Sequence, residues 1–164
     1  MKITIKDRLK LKIKQYFDLL HETHLKLTIS NTISKCNKYP HYYAILYYRM
    51  VYPFNAKISL IEDIIKVCPQ CACNRNIRIY KHQNEFDIQF INGSRFLVKK
   101  YSENNSRGYR FHYAIVDKGI PKDEIEMLKY RTISKEQYCK MNNTEINSYD
   151  KSYFGKIKTI TLYK

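Results

Sequence analysis

A chain of 164 residues with 44% hydrophobic content has material for one real core and too little length for two ample domains. Its 30 basic and 15 acidic residues leave a net charge of +15, which favours a polyanionic partner, nucleic acid before an anionic membrane surface. No apolar run approaches the roughly 20 residues needed to cross a bilayer, so no membrane partner is expected. The start, MKITIKDRLKLKIK, alternates lysine with apolar residues and lacks the continuous apolar core of a secretion signal, so a cytoplasmic location is the expectation. Lys, Ile, Asn and Tyr are all abundant, as AT-rich coding alone would make them, and a solvated lysine surface is the alternative reading of the charge.

In chain order, Leu9, Ile13, Phe17 and Leu20 fall at helical spacing within Lys6 to Glu22, and residues 1–24 read as a basic N-terminal helix. Leu25 to Ile29 reads as a short strand, followed by the polar loop Ser30 to Ser34. Pro40 suits the first turn of a helix over His41 to Tyr52, stopped by Pro53. Ala56 to Leu60 reads as a second strand and Ile61 to Val67 as a helix. Ile77 to Lys81, Phe86 to Ile91 and Arg95 to Lys100 predict three strands, the last two joined through Asn92-Gly93, a strong turn signal. Phe111 to Val116 predicts a buried strand ending on Asp117. Asp123 to Tyr130 and Ser134 to Met141 predict helices, the latter opened by a capping box of Ser134 and Gln137. Lys156 to Tyr163 predicts a terminal strand. Strands separated by helices, a β-rich middle, then a strand followed by helices predict a three-layer α/β fold.

Five cysteines and no secretion signal argue against a disulfide framework. Cys68, Cys71 and Cys73 form CPQCAC, but no second CxxC exists to complete a structural zinc site, and His82 and Cys139 stand alone. Reduced thiols are the expectation, with no metal. The five histidines form no triad spacing, and His21 and His24 suit the C-terminal end of the first helix.

Between Asp87 and Asp117 the chain reads Phe90-Ile91-Asn92-Gly93-Ser94-Arg95, a polar loop reaching Arg107-Gly108-Tyr109-Arg110, and Ala114-Ile115-Val116-Asp117. That order resembles the ATPase domain of the viral and phage terminase large subunit, the DNA-packaging motor, in which a strand ends in Asn-Gly-Ser and a later apolar strand ends in Asp-Glu. The resemblance covers about Leu25 to Leu128 within a core of residues 25–130, with 131–164 supplying a helix and the terminal strand. It implies a P-loop-NTPase-like sheet with flanking helices, complete or truncated, and a nucleotide-binding remnant at Lys35, Cys36 and Asp117 with Mg-ATP as the implied cofactor. Arg95, Arg107 and Arg110 are the candidates for nucleic-acid contact.

The departures from that family are chemical. Ser34 stands where a glycine lets backbone approach phosphate. Cys36 stands where a hydroxyl would hold Mg²⁺, and a thiol is a poor ligand for so hard a cation. Lys118 replaces the glutamate that activates water and cannot act as a base while charged. No packaging nuclease domain is expected in the residues after Asp117. The implied protein is a phage or prophage chain acting in the host cytoplasm, with degenerate ATPase motifs, that binds DNA or packaging components without catalysis. The alternatives are a basic nucleic-acid-binding module unrelated to ATPases, and a weak Mg-ATP enzyme drawing a carboxylate from Glu103 or Glu124.

Overall fold

The computed structural model describes residues 5–49, 55–67, 77–82, 85–102 and 107–162. Along the chain come α1 (Ile5–Lys38), β1 (Tyr43–Tyr48), α2 (Asn55–Val67), β2 (Ile77–His82), β3 (Glu85–Phe90) and β4 (Arg95–Lys100). Then follow β5 (Tyr113–Asp117), α3 (Lys122–Lys129), α4 (Lys135–Asn142), a 3₁₀ turn (Ser148–Tyr153) and β6 (Lys156–Ile160). The strands form one mixed sheet in the order β2-β3-β4-β1-β5-β6. β4, β1, β5 and β6 run parallel, and the β2-β3-β4 meander is antiparallel.

β1 lies at the middle of the sheet, and Ala44 to Tyr48 are buried. Successive residues feed opposite faces. Ala44, Leu46 and Tyr48 join Leu25, Ile29, Ile33 and Cys36 of α1 and Ile61, Ile64 and Ile65 of α2 on one side. Ile45 and Tyr47 join Phe111, Ala114, Val116, Ile120 and Leu128 of α3 on the other. Helices on both faces of a largely parallel sheet make this an α/β fold, and no helix among the described residues is long and apolar enough to cross a membrane.

Three elements differ from the sequence reading. Leu25 to Ile29 is not a strand and Ser30 to Cys36 is not a loop, because both continue α1 without a break. The buried residues of that stretch, Leu25, Thr28, Ile29, Thr32, Ile33 and Cys36, recur at helical spacing and seat one face on the sheet. The segment at His41 to Tyr52 is not a helix through its described part. Its Tyr-Ala-Ile-Leu-Tyr-Tyr core is buried on both faces and rich in β-forming side chains, which suits a central parallel strand. Ala56 to Leu60 is the first half of α2, since no breaker separates it from Ile61 to Val67. The meander, β5, the two late helices, the Ser134–Gln137 capping box and β6 lie where the sequence predicts them.

The Asn92-Gly93-Ser94 turn does more than join β3 to β4. Asn92 Nδ2 donates to the Cys36, Asn37 and Tyr39 carbonyls at 2.9, 3.2 and 3.3 Å, satisfying the C-terminal end of α1. Ser94 Oγ accepts from the Tyr42 amide at 3.0 Å and donates to the Tyr39 carbonyl at 2.5 Å. Gly93 has φ +80°, and a Cβ there would lie 2.5 Å from His41 Nδ1. Both the backbone and the space require glycine.

Candidate nucleic-acid interface

The face of β2, β3 and β4 turned away from α1 is polar. Along β3 the alternation buries Phe86, Ile88 and Phe90 and leaves Glu85, Asp87 and Gln89 on the other side. Registers then build rows across the sheet. Arg78 pairs with Gln89, Gln89 with Arg95 and Arg95 with Tyr43, which sets two guanidiniums, an amide and a phenol in one line. The next row runs Tyr80, Asp87, Leu97 and Ile45. Arg110 and Tyr109 border this face beside Arg95 and Tyr43, lining a shallow cleft of about 260 Å³. A contiguous cleft of about 240 Å³ shares Arg95, Leu97 and Tyr109 and extends to Tyr80, His82, Glu85, Asp87 and Lys99.

Arg95 is the pivot of this surface. Its Nε and Nη2 donate to the two Asp87 oxygens at 2.8 and 2.6 Å, a bidentate fork that fixes the guanidinium plane. Burial alone pushes the Asp87 carboxyl up, but the bonds from Arg95 and Gln89 outweigh it and hold the carboxyl below its ordinary value. Lys99 lies 3.6 Å from Glu85 and 5.0 Å from the centroid of the Tyr109 ring, a cation–π contact. Arg78, Arg95, Lys99 and Arg110 thus share this face with Glu85 and Asp87, which engage Lys99 and Arg95, and with Tyr43, Tyr80 and Tyr109. Cations interleaved with rings can hold a phosphate backbone and stack bases.

Of the three arginines the sequence singles out, the structure brings Arg95 and Arg110 together at this cleft. Arg107 lies apart, in a larger cleft with Asp123, Glu124, Met127 and Arg131. Tyr43, Arg78, Tyr80, Gln89 and Lys99 are missing from the sequence-based candidates. The alternation of polar and apolar residues in β3 is the signal that could have found part of this face.

The nucleotide-binding remnant is not assembled as the resemblance implies. Lys35 and Cys36 sit within α1, where backbone N–H groups are engaged along the helix and cannot cradle phosphates. Lys35 Nζ is 2.5 Å from Asp150 Oδ1. Lys38 Nζ donates to Asp150 Oδ2 at 2.8 Å, and the Tyr39 hydroxyl donates to the same oxygen at 2.5 Å. Burial by itself pushes the Asp150 carboxyl up, yet the bonds from Lys35, Lys38 and Tyr39 together hold it well below the usual carboxylate range. The Cys36 thiol is buried and its Sγ lies 3.8 Å from the Arg95 carbonyl.

Asp117 ends β5 as the sequence predicts, and it is 2% exposed. Its Oδ1 accepts from the Gly119 amide at 3.2 Å and the Leu162 amide at 3.4 Å, and Oδ2 has no hydrogen-bond partner. Lys118 continues the pairing with β6 through its amide, 2.7 Å from the Ile160 carbonyl, and its side chain is exposed. Among the described residues, this orphaned carboxylate oxygen is the feature that suits a cation. Among the described residues no three His, Cys, Asp or Glu side chains converge on a metal position. With no phosphate-binding loop at Lys35, these residues do not fit Mg-ATP. Glu124 is described at the Arg107 cleft, while CPQCAC and Glu103 lie outside the described residues.

Compared with family models, curated proteins and solved structures, the chain matches none. Its class therefore rests on its own geometry: an α/β sheet bearing a basic, tyrosine-lined face.

Proposed function

We propose that this chain is a non-catalytic, DNA-binding protein on a terminase-ATPase-like core, acting with phage packaging components in the host cytoplasm. The observation that carries the binding reading is the row of Arg78, Gln89, Arg95 and Tyr43 with Arg110 at its rim, on a chain of net charge +15. Phosphates would lie along the guanidiniums and Lys99, and bases would stack on the tyrosines. The terminase part of the reading is supported by the hairpin at Asn92-Gly93-Ser94 and by Asp117 ending a buried strand parallel to its neighbours. The absence of catalysis is supported by the helical setting of Lys35 and by Lys118 beside Asp117.

Weak Mg-ATP binding has the partnerless Asp117 Oδ2 in its favour. Calorimetric titration with Mg-ATP and a steady-state ATPase assay with duplex DNA distinguish the two. The proposal predicts no saturable heat at millimolar nucleotide and no turnover above buffer. Turnover abolished by Asp117→Asn would overturn it.

A further inference from the structure

Along α1 an apolar stripe stays largely exposed. Leu9, Ile13, Tyr16, Leu20 and Leu27 are between 47% and 61% exposed. At about 100° per residue, this stripe faces the side of the helix opposite Leu25, Ile29, Thr32, Ile33 and Cys36, which are buried against the sheet. Ile5, Leu11, Phe17 and Leu19 are exposed as well, Leu11 on the other side of the helix. Leu9, Ile13, Tyr16, Leu20, Thr23 and Leu27 alternate steps of four and three, the heptad seam of a two-stranded coiled coil. Ile13, Leu20 and Leu27 fall at a positions, and Leu9, Tyr16 and Thr23 at d.

The flanks select the partner. The e positions are Lys10, Phe17 and His24, and the g positions are Lys12, Leu19 and Lys26. These six positions hold three lysines and no carboxylate. A second copy would bring only like charge to the seam, and Asp18 and Glu22 lie toward the opposite side of the helix.

We infer that α1 docks an acidic amphipathic helix of another protein, whose apolar seam packs on Leu9, Ile13, Tyr16 and Leu20 and whose flanking carboxylates meet Lys10, Lys12 and Lys26. The heptad register favours a helix over a lipid surface, because its a and d positions repeat at knobs-into-holes spacing, and Phe17 and Leu19, exposed at e and g, widen that seam. This surface is separate from the polar face of β2, β3 and β4, on which it does not depend.

The test titrates the full chain into labelled synthetic helices of about four heptads, with Ile and Leu at a and d and either Glu or Lys at e and g. Anisotropy should show saturable binding of the Glu helix, about tenfold or more tighter than the Lys helix and weakened by salt. Ile13→Ser with Leu20→Ser, which changes no charge, should weaken that binding at least tenfold while DNA affinity and its salt slope stay at the parent's values. Equal binding of the two helices, or binding of neither, would overturn the inference. So would concentration-dependent self-association in sedimentation that Ile13→Ser with Leu20→Ser removes. Capture by vesicles rich in phosphatidylserine, with no Glu-helix binding, would reassign the stripe to a membrane surface.

Discussion

Asp150 is the residue whose replacement should cost this fold most for the smallest change in shape. It sits in the 3₁₀ turn with its side chain 7% exposed and takes three donors from the last turn of α1 and the residue beyond. Asp150→Asn keeps the volume and one acceptor oxygen but removes the charge and turns an NH₂ toward an ammonium. Lys38, 51% exposed, can return to water at little cost. Lys35, 18% exposed, cannot do so fully. Losing its charge-assisted bond costs about 1.5–3 kcal/mol, and the weakened Tyr39 bond adds about 1 kcal/mol. The total of about 3 kcal/mol matches the lower end of the cost of breaking a buried ion pair. For a chain of this size that lowers Tm by roughly 6–12 °C.

The assay is thermal unfolding by circular dichroism of the parent, Asp150→Asn, Lys35→Met, Lys38→Met and the Lys35→Met/Asp150→Asn double variant. Lys38→Met should be near neutral, and the double variant should cost less than the sum of its singles. Because the Asp150 carboxyl titrates below its unfolded value, its contribution is fully present above about pH 4 and is lost as pH falls toward the folded value. The parent should therefore lose stability below pH 4 more steeply than Asp150→Asn. A variant melting within about 1 °C of the parent, with additive effects of Lys35→Met, would refute the reasoning.

Two further outcomes follow from the core and the hairpin. His112 is buried, its Nδ1 accepts from the Tyr43 amide at 2.9 Å, and burial lowers its pKa to about 4. Between the unfolded value near 6.5 and about 4 the unfolded state binds the extra proton. Stability should thus fall with pH across that window, by up to about 3 kcal/mol, and His112→Asn should flatten the curve in a denaturant series run from pH 7 to 4. Gly93→Ala puts a Cβ against the His41 ring at φ +80° and should cost about 1–3 kcal/mol in urea unfolding, whereas Gly93→Asn, at home in left-handed conformations yet still blocked by His41, should rescue little of it.

The meander was legible because Asn92-Gly93 and the alternation through β3 are local signals. The capping box at Ser134 and Gln137 was legible for the same reason. Residues 25–36 carry a helical period, yet Leu25 to Ile29 is short enough to pass for a strand before a polar loop. β1 is ambiguous in the sequence because an apolar run of six suits a helix or a doubly buried strand, and only its place between β4 and β5 decides. Arg95 and Arg110 can be picked out one by one, but the row Arg95 shares with Arg78, Gln89 and Tyr43 is set by registers across four strands. The pairing of Lys35 with Asp150 spans 115 residues and left no local trace.

The most direct test of the binding account is fluorescence anisotropy of labelled duplex and single-stranded DNA across a salt series. The account predicts a log affinity that falls linearly with log salt, a slope reduced by about one per phosphate contact in Arg95→Ala and Arg110→Ala, and no response to Mg-ATP. Tyr109→Ala should weaken single-strand binding at constant slope. Binding of DNA with the same affinity and slope in an Arg78→Ala/Arg95→Ala/Arg110→Ala variant, or no binding by the parent at low salt, would contradict it.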